Sequence, residues 1–94
     1  MSSPHFQYEP GAKCVFYTLG KTDVFDVDHA RRLSKIARSG EWEGRKVERA
    51  EVRFEDEKHA RPHADALGFL DIATVVKGKV ISGAPIRVRK DFGL

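Results

Sequence analysis

One cysteine, one methionine and one tryptophan are all that this 94-residue chain holds of those residue types. The lone cysteine, Cys14, excludes an internal disulfide and any zinc or iron–sulfur site built on several thiolates. It suits a reducing compartment, and its place in the apolar run KCVFYTL marks it as a small core residue. No apolar run approaches the roughly 20 residues of a membrane-spanning helix. The N-terminal stretch MSSPHFQYEPG has no basic segment leading into an apolar one. No membrane partner and no signal peptide are therefore expected, and the cytoplasm is the expected location.

Catalytic signatures are also missing. No Ser/His/Asp or Cys/His arrangement is legible, and no paired carboxylates stand on an obvious cleft. Gly20-Lys21-Thr22-Asp23 shares GKT with a phosphate-binding loop, but the upstream glycine of that loop is Val15 here. No catalytic residue and no cofactor are expected, and the chain reads as non-enzymatic. One-sided charge is scarce too. Seventeen Lys+Arg stand against fourteen Asp+Glu, a net charge of +3, which permits a polyanionic partner without demanding one.

What is present fits one small domain, because 94 residues with 40% apolar content supply a single core. Residues 1–12, with Pro4, Pro10 and Gly11, read as a flexible lead-in, and residues 13–94 as one α+β domain. Lys13 to Leu19 is β-branched and aromatic on both faces, as in a central strand. In Val47 to Glu55, Ala50, Val52 and Phe54 alternate with Glu51, Arg53 and Glu55, a strand with one wet face. Charged residues 56–62 end in a proline and read as a loop. Ala64 to Lys77 is assigned mostly to strand, with a short helix over His63 to Leu67 as the alternative. Lys77-Gly78-Lys79 is a tight turn, and Val80 to Gly83 returns as a strand. Pro85 confines Ile86 to Lys90 to a sheet edge. The expected fold is α+β: a single, mostly antiparallel sheet of four or five strands in β-α-β-β-β order, with one main amphipathic helix packed on one face.

That helix lies in Asp26 to Gly40, DVDHARRLSKIARSG. At about 100° per residue, Val27, Ala30, Leu33, Ile36 and Ala37 gather on one side and Arg31, Arg32, Lys35 and Arg38 on the other. Asp26 or Asp28 caps its first amides, and Gly40 stops it. Folding needs the apolar side. It does not need four cations with only Asp28 as acid on the outer side. Lys21 in the preceding turn joins this basic set, with Arg45 and Lys46 just after it, while Glu41, Glu43 and Glu48 lie close enough to neutralise part of it. Arg forks and Lys point charges suit phosphate oxygens. Trp42, beyond the helix, is expected to cover the core edge.

Two further clusters carry weaker chemistry. His59 and His63 are four apart, a spacing that places two imidazoles on one metal if a helix runs through both. Pro62 argues against such a helix. A loop would need Asp56, Glu57 or Asp65 as a third ligand, so the pair reads as solvated. Asp23, Asp26 and Asp28 read as turn and cap residues, because their spacing fits no calcium loop.

The order of these features resembles the ribosome hibernation factors, the ribosome-associated inhibitor and sigma-modulation family. Gly20-Lys21 stands at the family's turn and Asp28 to Arg38 at its basic helix. Val47-x-x-Ala50-x-Val52-x-Phe54 stands at its alternating strand, and Lys77-Gly78-Lys79-Val80 at its later hairpin. The resemblance covers residues 13–84. It implies a non-enzymatic protein that sets Lys21, Arg31, Lys35 and Arg38 against ribosomal RNA. The family's closing second helix has no counterpart before Leu94, so much of its RNA surface is missing. A shorter stretch is similar to a small bacterial family found near toxin–antitoxin genes. That family carries a His-Asn-Pro-Pro-His-Phe-His core, in which His59, Pro62 and His63 match while Asp65 replaces the third histidine.

The expected function is binding of RNA or a ribonucleoprotein through Lys21, Arg31, Arg32, Lys35 and Arg38. The alternative is a protein-interaction module, an antitoxin-like or phage-encoded inhibitor. It would dock the same helix on an acidic protein partner, or form a homodimer through the Ile86–Lys90 edge. A metal-dependent enzyme built on His59 and His63 is the third reading.

Overall fold

The computed structural model describes residues 5–82. In chain order the elements are β1 (Gln7–Glu9), β2 (Cys14–Leu19), α1 (Val27–Ser39), β3 (Glu41–Trp42) and β4 (Arg45–Lys46). They continue with β5 (Arg49–Phe54), α2 (Glu57–Phe69), β6 (Ala73–Val76) and β7 (Lys79–Ser82). Five strands form one sheet in the order β1-β2-β5-β6-β7, and β3 pairs with β4 in a separate hairpin. The fold is α+β, but the sheet is mixed rather than mostly antiparallel. The β2–β5 and β5–β6 pairs are parallel, while the outer pairs, β1–β2 and β6–β7, are antiparallel. A parallel pair needs a crossover that carries the chain back to its starting end. Here α1 with the β3–β4 hairpin makes one crossover and α2 makes the other.

The second helix corrects the expected single-helix layout. Residues 57–69 form α2 through Pro62, with Ala60 and Leu67 buried on one side, and only Ala73–Val76 of the expected long strand is β6. Spacing of the apolar positions outweighs the amide lost at Pro62. The segment read as a lead-in also takes part in the sheet, with Gln7, Tyr8 and Glu9 opposite Phe16, Val15 and Cys14. The edge expected at Ile86 to Lys90 lies outside the described residues.

Helix α1 forms where its sequence places it. The Asp26 carboxylate accepts a hydrogen bond from the Asp28 amide at 2.9 Å, as a residue at the N-cap does. At the other end Gly40 takes φ 78°, and its amide donates to the carbonyls of Ile36 and Ala37. A side chain at that φ would be strained, which is why glycine closes the helix. Glu43 and Gly44, both at positive φ, then turn the β3–β4 hairpin, in the manner of a two-residue turn matched to strand twist. Lys77-Gly78 turns β6 into β7 the same way.

Alternate strand residues bury one face against both helices. Val15, Tyr17, Leu19, Ala50, Val52, Phe54 and Val76 join Ala30 and Leu33 of α1 and Ala60 and Leu67 of α2 in one core. Each fully buried leucine there contributes about 2 kcal/mol over its exposed state. Val27, expected in this core, is exposed, and Ser34 is buried instead, its hydroxyl donating to the Leu70 carbonyl at 2.7 Å. Because the strand order never reverses, both crossovers wind in one direction. The sheet therefore lacks the switch-point crevice where open α/β sheets hold their ligands.

The register sets Cys14, Phe16 and Thr18 beside Arg49, Glu51 and Arg53 on the other face. Glu51, expected on a wet face, is only 5% exposed. Arg49 and Arg53 both bond its carboxylate, Arg53 through Nε at 2.9 Å. Arg53 also reaches Glu9 at 2.7 Å and lies 3.6 Å over the Phe16 ring. Among the described residues no helix is long and apolar enough to cross a membrane.

Candidate nucleic-acid interface

The outer side of α1 is basic and wet. Ala30, Leu33 and Ser34 face the sheet, and Arg31, Arg32, Lys35 and Arg38 are all exposed. Arg31, Lys35 and Arg38 fall within about 60° of one another around the axis, and Arg32 flanks them. Asp28 is the only acid on this side. Lys21 is also exposed, but it sits in the turn before the N-terminal end. The 13 residues of α1 span about 20 Å, so Lys21 and Arg38 mark opposite ends of the surface.

Two of the four helix cations have acid partners. Arg31 lies 3.6 Å from Asp28, and Arg38 lies 3.7 Å from Asp71. The two arginine side chains remain 64% and 60% exposed. Pairs this long and this wet contribute at most about 1 kcal/mol and are screened by salt, so a phosphate oxygen can replace the carboxylate. Arg32 and Lys35 form no ion pair among the described residues. The outer side of α2 differs. It carries Glu57 and Asp65 against Lys58 and Arg61, and Arg61 donates to Glu57 at 2.7 Å. The basic excess therefore belongs to α1 alone among the two helices.

The hairpin after α1 carries Arg45 and Lys46, which follow the basic set in sequence, together with Trp42. Its register sets Trp42 opposite Arg45 on one side and Glu41 opposite Lys46 on the other. Trp42 and Tyr8 are half-buried at the core edge, as expected of the tryptophan. Their ring centroids are 6.4 Å apart. The Tyr8 hydroxyl donates to the Lys46 carbonyl at 2.6 Å, which ties the hairpin to β1. Arg45 is exposed, forms no ion pair among the described residues, and lies over the Tyr8 ring at 5.3 Å. A single Trp within a few residues of two Arg/Lys is the signal that could have pointed here. Lys46 is paired with Glu48 at 3.9 Å.

The histidines are arranged by packing. His59 and His63 both lie on α2, contrary to the expected loop, with ring centroids 6.1 Å apart. His63 stacks on Phe25 at 4.2 Å, and His59 meets the edge of Phe54 at 5.2 Å. Burial and the neighbouring His59 hold the His63 pKa below the usual imidazole value. No set of three His, Cys, Asp or Glu side chains able to hold a metal ion forms among the described residues. His29 packs between Phe6 and Tyr17, each ring 4.6 Å away. Burial, reinforced by Glu51, pushes the Cys14 thiol up to about 12, so it stays protonated and unreactive at neutral pH. Asp26 is the α1 cap, and Asp23 accepts from the Gly20 amide at 2.7 Å. Both are spent on local structure, as expected.

Comparison of the chain with models of known protein families, with curated proteins and with solved structures finds no match.

Proposed function

We propose that this protein binds RNA, free or within a ribonucleoprotein, through the outer side of α1, and acts by occupancy rather than by catalysis. The observation that carries this reading is the exposed row Arg31, Arg32, Lys35 and Arg38, in which Arg32 and Lys35 have no acid partner among the described residues. Cations on a rigid helix meet phosphates at fixed spacing, which positions a nucleic acid without reading its sequence. The helix offers a convex charged surface. Cytoplasmic location and the resemblance to ribosome hibernation factors fit this reading and belong to it as proposals.

The test is a filter-binding titration of the triple variant Arg31→Glu, Lys35→Glu and Arg38→Glu against the parent chain. Circular dichroism checks that both fold alike. All three positions are exposed, so the fold should stand. RNA affinity should fall by roughly 100-fold or more, given the loss of three phosphate contacts and the gain of three repulsions. Unchanged affinity rejects the reading. An acidic protein partner is the contrary outcome: the parent chain would then ignore RNA while retaining an acidic polypeptide, and the variant would lose that polypeptide.

A further inference from the structure

From the corner formed by Tyr8, Trp42 and Arg45, we infer that the RNA taken by this surface is single-stranded, with an unpaired base stacked on the Arg45 guanidinium at the C-terminal end of α1. The inference rests on the proposed RNA reading and adds the class of RNA and the place of base contact. Four observations meet here. Arg45 is an exposed arginine that forms no ion pair among the described residues. It lies over the Tyr8 ring at 5.3 Å while remaining exposed to solvent. Tyr8 is itself fixed, through its hydroxyl bond to the Lys46 carbonyl and through the sheet pairing of β1. Finally, Trp42 stands across the hairpin from Arg45 and 6.4 Å from Tyr8.

The chemistry follows from that arrangement. A guanidinium held against an aromatic ring is a flat cation whose second face suits a nucleobase. Stacking needs a base free of its helix, which a duplex does not present. Gly40 alone separates α1 from the hairpin, so a strand whose phosphates run along Arg31, Lys35 and Arg38 reaches Arg45 within a few nucleotides. The hairpin register helps, because Glu41 sits on the Lys46 side and not on the Trp42–Arg45 side. Glu43, at the turn, is the nearest acid in the hairpin sequence.

Trp42 is the only tryptophan, so its fluorescence reports this corner alone. The full chain is titrated with an oligouridine of about ten nucleotides and, separately, with a duplex RNA of the same length. The single strand should quench Trp42 and bind more tightly than the duplex. Arg45→Lys keeps the charge and removes the plane. It should weaken oligouridine binding by roughly 5- to 10-fold and erase the preference for the single strand. If oligouridine binds with no change in Trp42 fluorescence and Arg45→Lys binds as the parent does, the stacking corner is overturned while RNA binding stands. Tighter binding of the duplex overturns the single-strand assignment. If neither RNA binds, this inference and the RNA reading fail together.

Discussion

Thr74 sits in β6, fully buried, with a hydroxyl that finds no hydrogen-bond partner among the described residues. An unpaired buried hydroxyl costs more than it returns, and valine has nearly the same shape. Thr74→Val is therefore expected to raise stability by about 1 kcal/mol, read as a higher urea midpoint at unchanged slope. A loss of that size would mean the hydroxyl is engaged after all. Single residues also show where the sequence stops being legible. Arg31, Arg32, Lys35 and Arg38 could be placed outside α1 because helical period alone decides it. Glu51 could not be read. Alternation assigned it to a wet face, yet Arg49 and Arg53 on its own strand close over it. Which side chains converge on a carboxylate depends on rotamers and on strands far away in sequence, such as Glu9 in β1. Arg45 is visible beside the basic set, but its contact with Tyr8 is not, because that ring is thirty-seven residues away across the fold.

Among the elements, α1 was legible nearly to its ends, since a cap, a period and a stopping glycine agree. Helix α2 was not. Pro62, its sixth residue, removes one amide from the helical ladder, and that local penalty masked a helix held by Ala60 and Leu67 against the sheet. The same residue supplies a test. Pro62→Ala restores the amide and should stabilise the fold by about 1 to 3 kcal/mol, measured by thermal or urea unfolding. A neutral or destabilising result would show that the ring makes contacts worth as much as the lost bond. Missing α2 also hid the sheet's character. Without a second crossover the strands after β5 have to pair antiparallel, whereas with it β5 and β6 run the same way. The β3–β4 hairpin is not legible as strands because two-residue strands carry no period. Glu43-Gly44, in a turn conformation that favours glycine, was its only local mark.

Across the molecule, the exposed basic groups of the described residues are spread unevenly. Among the described residues the outer side of α2 is balanced and the carboxylates Glu9 and Glu51 are committed to arginines, while Arg31, Arg32, Lys35 and Arg38 lie together along α1 with Arg45 in the hairpin beside it; Lys21, Lys58, Lys77 and Lys79 are exposed lysines set elsewhere. Both helices cover one face of a sheet that winds in one direction, and the outer side of α1 is the basic surface on which the proposed RNA reading rests. The most direct measurement is the salt dependence of RNA binding for the parent chain and for the Arg31→Glu, Lys35→Glu, Arg38→Glu variant. If α1 holds the phosphates of a single strand, the logarithm of the parent's binding constant falls with the logarithm of salt concentration at a slope of roughly −2 to −4, as three to five displaced counterions require. The variant should show weak binding and a slope shallower by about 2. Equal slopes and equal affinities for the two chains would contradict the account.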